Sequence, residues 1–349
     1  MTVDGQCLLD GLRYRRTQSV WLGRTKSIQS EDLVAKFGDR DSDGAAVSVL
    51  VLTCNHEDYI AHCLRSILEQ ETNFPVQVLV HDDASEDNTP HIVSKFAEQY
   101  PRSLHYIRSA SRLGVTGPIV QTLFAKATGT FVAWCEGDDY WIERDKLARQ
   151  VKQLTDDKSL VAVSHSTALV RNGIVSVEEP LHSGRLRKGT LKGYLDSLPP
   201  VSICMRRHSD FPANWCDRAP YGDAVLKSWL CSKGDVFVDS TYVGAAHVLH
   251  EGGVFSGRDE ETRLRLTEDS LLIAAEFLQS VGDLSLAKEA GGWALAYANR
   301  RARLASGGEC RPVDLGSGGI FGIMKRRWNR LRRHLVTQRR GSRQVSSDS

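Results

Sequence analysis

Paired cysteines, long apolar runs and a leader-like amino terminus are all absent from this sequence. The eight cysteines are scattered and none forms a C-x-x-C pair, which argues against a zinc site or a disulfide framework and fits a reducing compartment. No apolar run approaches the ~18 residues that a membrane-spanning helix needs. The amino terminus has acids around a short apolar patch and lacks the pattern of a signal peptide. We therefore expect a cytoplasmic protein.

Acidic residues are missing from a basic segment near the carboxyl terminus. Residues 325–343 contain nine of the 45 Lys and Arg residues and no Asp or Glu, although the net charge of all 349 residues is only +2. Apolar side chains recur every three or four residues from Ile320 to Leu335, which predicts a basic amphipathic helix. Residues 320–343 are therefore a candidate contact with an anionic membrane surface at the inner face of the cytoplasmic membrane; a solvated tail is the alternative. Nucleic acid is not an expected partner, because no recognition module accompanies these charges.

Strands and helices alternate in the first half of the chain after residue 45. Val47–Leu52 is an apolar run of valine and leucine interrupted only by Ser48, typical of a strand buried on both faces of a parallel sheet. Helical periodicity extends from Ile60 to about Gln70, and further strands are predicted at Val76–Val80, Leu104–Ile107 and Phe131–Trp134. This order predicts an α/β fold with a largely parallel sheet.

Three acids follow the strand Phe131–Trp134 within four residues: Glu136, Asp138 and Asp139. Like charges repel, so a folded protein keeps such a cluster solvated or neutralises it with cations. Carboxylate oxygens suit Mn²⁺ or Mg²⁺, and Mg²⁺ usually leaves coordination positions for water and substrate phosphates. The cluster is a candidate site for a divalent cation; an acidic surface loop is the alternative.

Polar residues also follow the first and second predicted strands, where Thr53 and the pair Asp82 and Asp83 lie. Ligands of open α/β sheets bind beyond the carboxyl ends of the strands. The three loops are therefore expected to converge on one crevice.

Three segments resemble the inverting glycosyltransferases of family 2: VSVLVLTCNHEDYIAHCLRSILEQ, VLVHDDASEDNT and FVAWCEGDDYW. The resemblance implies the A-type glycosyltransferase (GT-A) fold, a Rossmann-like mixed sheet with helices on both faces. It also implies that four residues bind a nucleotide-diphosphate sugar: Thr53, Asn55, Asp82 and Asp83. Helix N-capping is the alternative role for Asp82 and the preferred one for Asp87.

The metal element of that family corresponds here to Glu136, Asp138 and Asp139, with Asp138 also next to the donor. His250, in the segment HVLHEGGVFS, resembles a family residue that completes the metal shell or contacts the β-phosphate. Family members often have Asp where this chain has Glu136, so the role of this first carboxylate is open. Two further positions depart from the family: Val248 stands in place of Arg, and Phe255 in place of Trp.

Inverting transfer needs a base that takes the proton of the acceptor hydroxyl. Tyr221-Gly222-Asp223 resembles a later family block in which a Gly-Asp pair begins a helix. Asp223 is therefore the candidate catalytic base. Helix N-capping is its alternative role.

The expected activity is metal-dependent, inverting transfer of a sugar to a hydroxyl of a glycan or lipid-linked glycan, in the assembly of cell-surface polysaccharide. A catalytically inactive nucleotide-sugar-binding protein is one alternative. A sugar-phosphate nucleotidylyltransferase is another, although it would carry a Gly-rich, Arg-containing loop where this chain has TCNHED. The expected organisation has five parts: an extension (1–45), a catalytic domain (46–260, with a nucleotide-sugar half 46–150 and an acceptor half 151–260), a helical extension (261–306), a linker (307–319) and a basic tail (320–349).

Overall fold

The computed structural model describes residues 46–114, 117–178, 180 and 182–305 of the chain. Within them, ten strands form one sheet: β1 (Val47–Thr53), β2 (Val76–Asp82), β3 (Leu104–Arg108), β4 (Phe131–Trp134), β5 (Tyr140–Trp141), β6 (Leu160–Arg171), β7 (Ile174–Glu178), β8 (Gly184–Leu186), β9 (Cys204–Arg206) and β10 (Asp235–Leu249). The α-helices in these residues are α1 (Ile60–Leu68), α2 (Thr89–Gln99), α3 (Ile119–Lys126), α4 (Lys146–Asp156), α5 (Leu191–Ser197), α6 (Ala213–Cys216), α7 (Asp223–Lys233), α8 (Glu260–Ser280) and α9 (Leu284–Ala305).

The first half of the sheet has the strand order β3-β2-β1-β4, with every neighbour parallel. Leu50 packs into the core on one face of the sheet, while Val49 and Val51 pack into the core on the other face. The apolar run of β1 is therefore explained by burial on both faces. The chain moves outward from β1 to β3 on one side and returns to the other side of β1 for β4. This reversal is the topological switch point at which α/β sheets bind ligands.

The second half makes the sheet mixed, as the resemblance implies. β9 pairs antiparallel with β4 and with β6, and β6 pairs in parallel with β10. The short strand β5 pairs antiparallel with β10, so that Trp141 lies opposite Ala245. Because β5 follows the acidic loop directly, this pairing brings the end of β10 and His250 beside the loop.

A turn at Asn172-Gly173 joins β6 to β7. Both residues have positive φ angles, 51° and 76°. Asn and Gly tolerate this left-handed region better than other residues, which explains why the pair marks the hairpin.

Helices α8 and α9 form the helical extension, joined at Gly282, whose φ is +83°. Helix α8 begins at Glu260, one residue before the predicted boundary, because the Asp259 side chain accepts a hydrogen bond from the Thr262 amide. Leu278 of α8 belongs to the same buried core as Trp229 of α7. The extension therefore shares a core with the sheet.

Truncating Leu278 tests this shared core. Leu278 is fully buried, so Leu278→Ala is expected to lower the free energy of unfolding by about 2–5 kcal/mol, through lost burial and a residual cavity. Leu284→Ala is the matched control: its side chain is 66% exposed and its loss is expected to cost under about 0.5 kcal/mol. Urea unfolding checks both values. Two separate transitions, with only the second shifted, would show that the helices fold apart from the sheet.

Three predicted parts lie outside the described residues: the extension 1–45, the linker 307–319 and the basic tail 320–349. Across the described ranges, every helix is too short or too polar to cross a bilayer.

Candidate active site

The acidic loop after β4 is fixed against the end of β1. The Gly137 amide donates to the Leu52 carbonyl at 2.8 Å. A Cβ atom at Gly137 would lie 2.6 Å from Thr53 Oγ1 and 2.9 Å from His56 Nδ1. Only glycine lets the two loops approach this closely, which brings the predicted metal and nucleotide residues together at the switch point.

Asp138 is at the centre of a cluster with two histidines. His250 Nε2 lies 3.0 Å from Asp138 Oδ2, and His56 Nε2 lies 3.8 Å from the same oxygen. The Tyr59 ring lies against the His250 ring, with centroids 4.7 Å apart. The potential ligand atoms of Asp138, His56 and His250 all lie within 4.8 Å of one another.

His56 is the site residue that sequence reasoning missed. It lies three residues after Thr53, in the segment TCNHED at the carboxyl end of β1. Its position in a polar loop beyond a buried strand was the available signal. Nothing in the spacing shows that its ring turns toward the loop after β4, because that direction depends on the backbone of Asn55, whose φ is +56°.

Glu136 and Asp139 form a second group with Asp138, and their ligand atoms also lie within 4.8 Å of one another. Asp139 is only 3% exposed, and its Oδ1 accepts a hydrogen bond from the Val248 amide at 2.9 Å. Glu136 is exposed to solvent. Asp138 belongs to both groups and is therefore the common ligand candidate.

The pKa values show how these charges act on one another. Although the Glu136 residue is exposed as a whole, protein atoms around its carboxyl group exclude water, and this desolvation, then repulsion by Asp138 and Asp223, raises the pKa of Glu136. Desolvation and the charges of Asp138 and Glu136 raise the pKa of Asp139. Desolvation also opposes ionisation of Asp138, but the hydrogen bond from His250 and the potential of His56 outweigh it and lower the pKa of Asp138. Burial lowers the pKa of His56, which favours the neutral imidazole that binds metals.

The donor set fits a divalent cation. In the part of the chain that the structure describes, no Lys or Arg nitrogen lies within 4.0 Å of a carboxylate oxygen of Glu136, Asp138 or Asp139. The raised pKa values of Glu136 and Asp139 show that their ionised forms are disfavoured without a further positive charge, and a cation would stabilise those forms. Carboxylate and imidazole ligands are compatible with Mn²⁺.

Acidic side chains of the loop after β2, the predicted nucleotide loop, accept hydrogen bonds from the protein and so stabilise the loop. Asp82 is fully buried, and its oxygens accept hydrogen bonds from the Ser85 amide (2.9 Å) and from the Tyr106 hydroxyl (2.7 Å). The side chain of Asp82 therefore shapes the loop and does not cap α2. Asp87 lies at the start of that helix, where it accepts a hydrogen bond from the Thr89 amide at 2.9 Å.

Asp83 also bonds within the protein, since its two oxygens accept hydrogen bonds from the Leu113 amide (2.6 Å) and the Gly114 amide (2.9 Å). Each oxygen has a second lone pair, so a ribose or base contact stays a prediction. Asn55 Oδ1 accepts from the Glu86 amide at 2.8 Å and links the loops after β1 and β2. Thr53 Oγ1 is buried and has no hydrogen-bond partner among the described residues.

Asp223 is the first residue of α7, directly after Gly222 in the N-cap position. Its carboxylate accepts a hydrogen bond from Lys227 Nζ, one turn later, at 2.7 Å. The Asp223 charge contributes to the raised pKa of Glu136, so the two carboxyl groups interact electrostatically. The carboxylate of Asp223 is also paired with a lysine.

Tyr140 and Trp141, which follow the acidic loop in β5, pack against neighbouring elements. The Tyr140 ring stacks on His62 with centroids 4.1 Å apart. The Trp141 side chain is buried, with Lys146 Nζ 4.1 Å from the centre of its ring.

Comparison with known proteins gives one family match and several relatives. Residues 48–202 match the model described as Glycosyl transferase family 2. An uncharacterized protein of Mycobacterium tuberculosis is 34% identical over 174 residues, which are 48% of this chain and 50% of the relative. An uncharacterized glycosyltransferase of Nostoc sp. is 27% identical over 138 residues, or 40% of this chain and 41% of the relative. The chain therefore spans about half the length, or less, of these relatives.

Among solved structures, the S. aureus TarS fragment 1–349 superposes with a TM-score of 0.53, both in complex with UDP and in complex with UDP-GlcNAc. The sequence identities are 20% and 21%, and each superposition covers 74% of this chain and 72% of the TarS chain. At this level of identity the likeness concerns the fold.

Proposed function

We propose that this chain, whose residues 48–202 form a family 2 glycosyltransferase domain of the GT-A fold, transfers a sugar from a nucleotide-diphosphate sugar to a hydroxyl group. The resemblance found in the sequence is confirmed by the family match. One observation supports the proposal: Asp138 after β4, His56 after β1 and His250 after β10 meet at the switch point of the sheet. The Asp223 charge also acts on Glu136 of the same acidic loop, which supports a base close to these candidate cation ligands.

The donor is proposed to lie across the ends of β1, β2 and β4. TarS binds UDP and UDP-GlcNAc, which supports a nucleotide donor for a chain of the same fold. Thr53 is the best placed of the predicted contacts because its buried hydroxyl lacks a partner in the described part of the chain. Asp83 and Asn55 border the same crevice, whereas Asp82 is expected to position the loop.

Asp138, Asp139, His56 and His250 are proposed to hold a divalent cation, with Glu136 beside them. A bound Mn²⁺ or Mg²⁺ would supply positive charge to the diphosphate leaving group. Mn²⁺ is the first expectation, since Mg²⁺ is bound mainly through oxygen ligands and two of these side chains are imidazoles.

Asp223 is proposed to accept the proton of the acceptor hydroxyl. The hydroxyl oxygen bonds to the anomeric carbon as the bond from that carbon to the diphosphate breaks, and the nucleoside diphosphate leaves with the electron pair. Attack opposite the leaving group inverts the anomeric centre. No covalent intermediate with the protein is needed.

The ion pair between Asp223 and Lys227 favours a second candidate, a protein that binds nucleotide sugars without transferring them. A carboxylate that accepts a hydrogen bond from an ammonium group is a weaker base unless the acceptor displaces the lysine. The nucleotidylyltransferase alternative is not retained, because residues 48–202 match the glycosyl transferase family.

The anomeric configuration of the product tests the proposal. Proton NMR of a reaction with an α-linked nucleotide sugar is expected to show a β-linked product at the earliest times. An α-linked product would contradict inversion, and a donor that is bound but never consumed with any acceptor would favour the binding protein.

The acceptor is proposed to be a glycan or lipid-linked glycan in polysaccharide assembly, reached through residues 320–343 at an anionic membrane. The nine Lys and Arg residues of 325–343 motivate this. Flotation with vesicles containing ~30% phosphatidylserine is expected to recover the full chain and to lose a version ending at Gly319, since each surface lysine or arginine contributes about 1 kcal/mol. Equal recovery of both versions would remove the membrane proposal.

A further inference from the structure

The connection between α6 and α7, which we call the base turn, comprises residues 217–222 and ends immediately before Asp223. At its start, the two carboxylate oxygens of Asp217 accept hydrogen bonds from the amides of Val120 (2.7 Å) and Gln121 (2.8 Å), in the first turn of α3. Asp217 is only 6% exposed, so water competes little for these bonds. The beginning of the base turn is therefore fixed to α3.

The end of the base turn is fixed to the helical extension. The Tyr221 amide donates a hydrogen bond to Ser270 Oγ of α8 at 2.9 Å. The Ser270 hydroxyl donates in turn to the Leu266 carbonyl at 2.7 Å, so its proton is occupied within α8 and its oxygen acts as the acceptor. Ser270 is fully buried. Loss of such a bond is costly, because the amide is left without its acceptor.

Two further contacts join this part of the chain to α8. Arg218 of the base turn lies 3.2 Å from the carboxylate of Glu276. Ala224, the second residue of α7, is buried in a small apolar cluster with Leu271 of α8. Because partly exposed ion pairs contribute little, the buried hydrogen bond and the apolar cluster are the main attachments.

The base turn also has little room on the side of α6. A Cβ atom at Gly222 would lie 2.9 Å from the Cys216 carbonyl oxygen. The backbone that leads to Asp223 is thus confined between α6 and α8, whereas the Asp223 side chain is 32% exposed and accepts a hydrogen bond from Lys227. The side chain of an aspartate is short, so the place of its carboxylate follows the place of its backbone.

We propose that the helical extension positions the candidate base: Ser270, through the Tyr221 amide, fixes the turn from which the Asp223 carboxylate reaches the acceptor hydroxyl. Ser270 touches neither the substrates nor the reacting atoms and is therefore a positioning residue. This inference rests on the proposed glycosyl transfer and gives α8 a part in it. A misplacement of about 1 Å at a reacting group can cost about 100-fold in rate, so a single hydrogen bond behind the base is enough to matter.

Ser270→Ala removes the acceptor of the Tyr221 amide and keeps a good helix former in α8. With donor and acceptor saturating, kcat for transfer is expected to fall about tenfold or more, because the carboxylate is held less closely in place. The KM for the donor and the Mn²⁺-dependent affinity for the nucleotide are expected to stay within about twofold, since Ser270 belongs to neither group of candidate cation ligands. An unchanged kcat would overturn the inference.

Introducing Ser270→Ala into the Asp223→Asn protein separates positioning of the base from general destabilisation. If Ser270 acts through Asp223, the second substitution has no base left to displace, and the residual rate is expected to fall by less than about twofold. A loss of about tenfold in both backgrounds would show that Ser270 acts independently of Asp223, and it would overturn the inference.

Ser232→Ala is the matched control. Ser232 is a half-buried serine of α7 whose hydroxyl donates to the Trp229 carbonyl at 2.8 Å, so its loss removes a helix hydroxyl away from the base turn. Its kcat is expected to stay within about twofold, and a loss equal to that of Ser270→Ala would overturn the inference. Should Ser270→Ala lower the yield of folded protein, Ser270→Cys takes its place, with a weaker acceptor, the same expected direction and the same overturning results.

Amide hydrogen exchange keeps this inference apart from the proposed function. Ser270→Ala is expected to speed exchange of the Tyr221 amide by about tenfold or more, whereas Ser232→Ala is expected to leave it unchanged. Equal exchange of this amide in the Ser270→Ala protein and the unmodified chain would overturn the inference. If the unmodified chain transfers sugar to no acceptor, the proposed function fails, and the exchange rates still decide whether α8 holds the base turn.

Discussion

Asp223→Asn is expected to reduce kcat for sugar transfer by about 10²–10⁴-fold, the usual contribution of a general base. The amide keeps the shape of the side chain and removes its capacity to accept the acceptor proton. Affinity for the nucleoside diphosphate is expected to change little, because Asp223 belongs to neither group of candidate cation ligands. Initial rates with the donor and acceptor saturating, beside calorimetric titration of the nucleotide, separate the two effects.

Asp210→Asn is the matched control for that substitution. Asp210 also pairs with a lysine, Lys233, and its side chain is 55% exposed on the surface. Its replacement is expected to leave kcat within about twofold, since exposed ion pairs contribute little. Transfer at an unchanged rate by the Asp223→Asn protein would mean that another group takes the proton.

Asp138→Asn is expected to weaken Mn²⁺-dependent binding of the nucleotide by about 100-fold or more, beyond the losses typical of outer-shell changes at metal sites. Asp138 is the one residue common to both groups of ligand candidates. The substitution removes a charge from the three-acid cluster, so the metal-free protein is expected to keep its stability or to gain some. Loss of binding with unchanged thermal unfolding would therefore identify a ligand rather than a structural residue.

Asp145→Asn provides the comparison for Asp138→Asn. Asp145 lies further along the same segment and pairs with Arg149 at 2.7 Å on the surface. The Asp145→Asn protein is expected to bind Mn²⁺ and nucleotide with the affinities of the unmodified chain.

In the His56→Ala protein, the factor by which Mn²⁺ strengthens nucleotide binding is expected to fall about tenfold. An unchanged factor in that variant would remove His56 from the ligand set.

The sequence predicts strand positions well because the hydrophobicity of a run of side chains can be read directly from the residues, and such runs tend to be buried. The run Val47–Leu52 and the run Phe131–Trp134 are apolar on both faces, and the structure places both in the centre of the sheet. Which polar residues follow a buried strand can likewise be read directly. The place where the ligand candidates converge was therefore predictable from order alone.

The use of individual side chains was less predictable. Asp82 and Asp83 are adjacent and alike in sequence, but they have different partners. Asp82 accepts hydrogen bonds from Ser85 and Tyr106, whereas Asp83 accepts them from the amides of Leu113 and Gly114. Ser85 lies in the same loop as Asp82, whereas Tyr106 lies on β3 and Leu113 and Gly114 lie in the loop after β3. The course of the chain that brings them together includes left-handed residues such as Ala84, whose φ is 51°. Periodicity carries no information about such contacts.

The start of the helical extension has a recognisable helix-capping pattern in the sequence. Asp259 is followed by two glutamates in the first turn of α8, a pattern typical of a capped helix start. The pairing of β5 with β10 has no such local signal, because Trp141 and Ala245 meet only through the tertiary fold.

Calorimetric titration of the full chain with UDP and with GDP, each with and without Mn²⁺, tests the central claim most directly. The account predicts one-to-one binding of at least one nucleotide, strengthened tenfold or more by Mn²⁺ and losing that dependence in the Asp138→Asn protein. Well-folded protein that binds neither nucleotide, or that binds one equally with and without Mn²⁺, would contradict it.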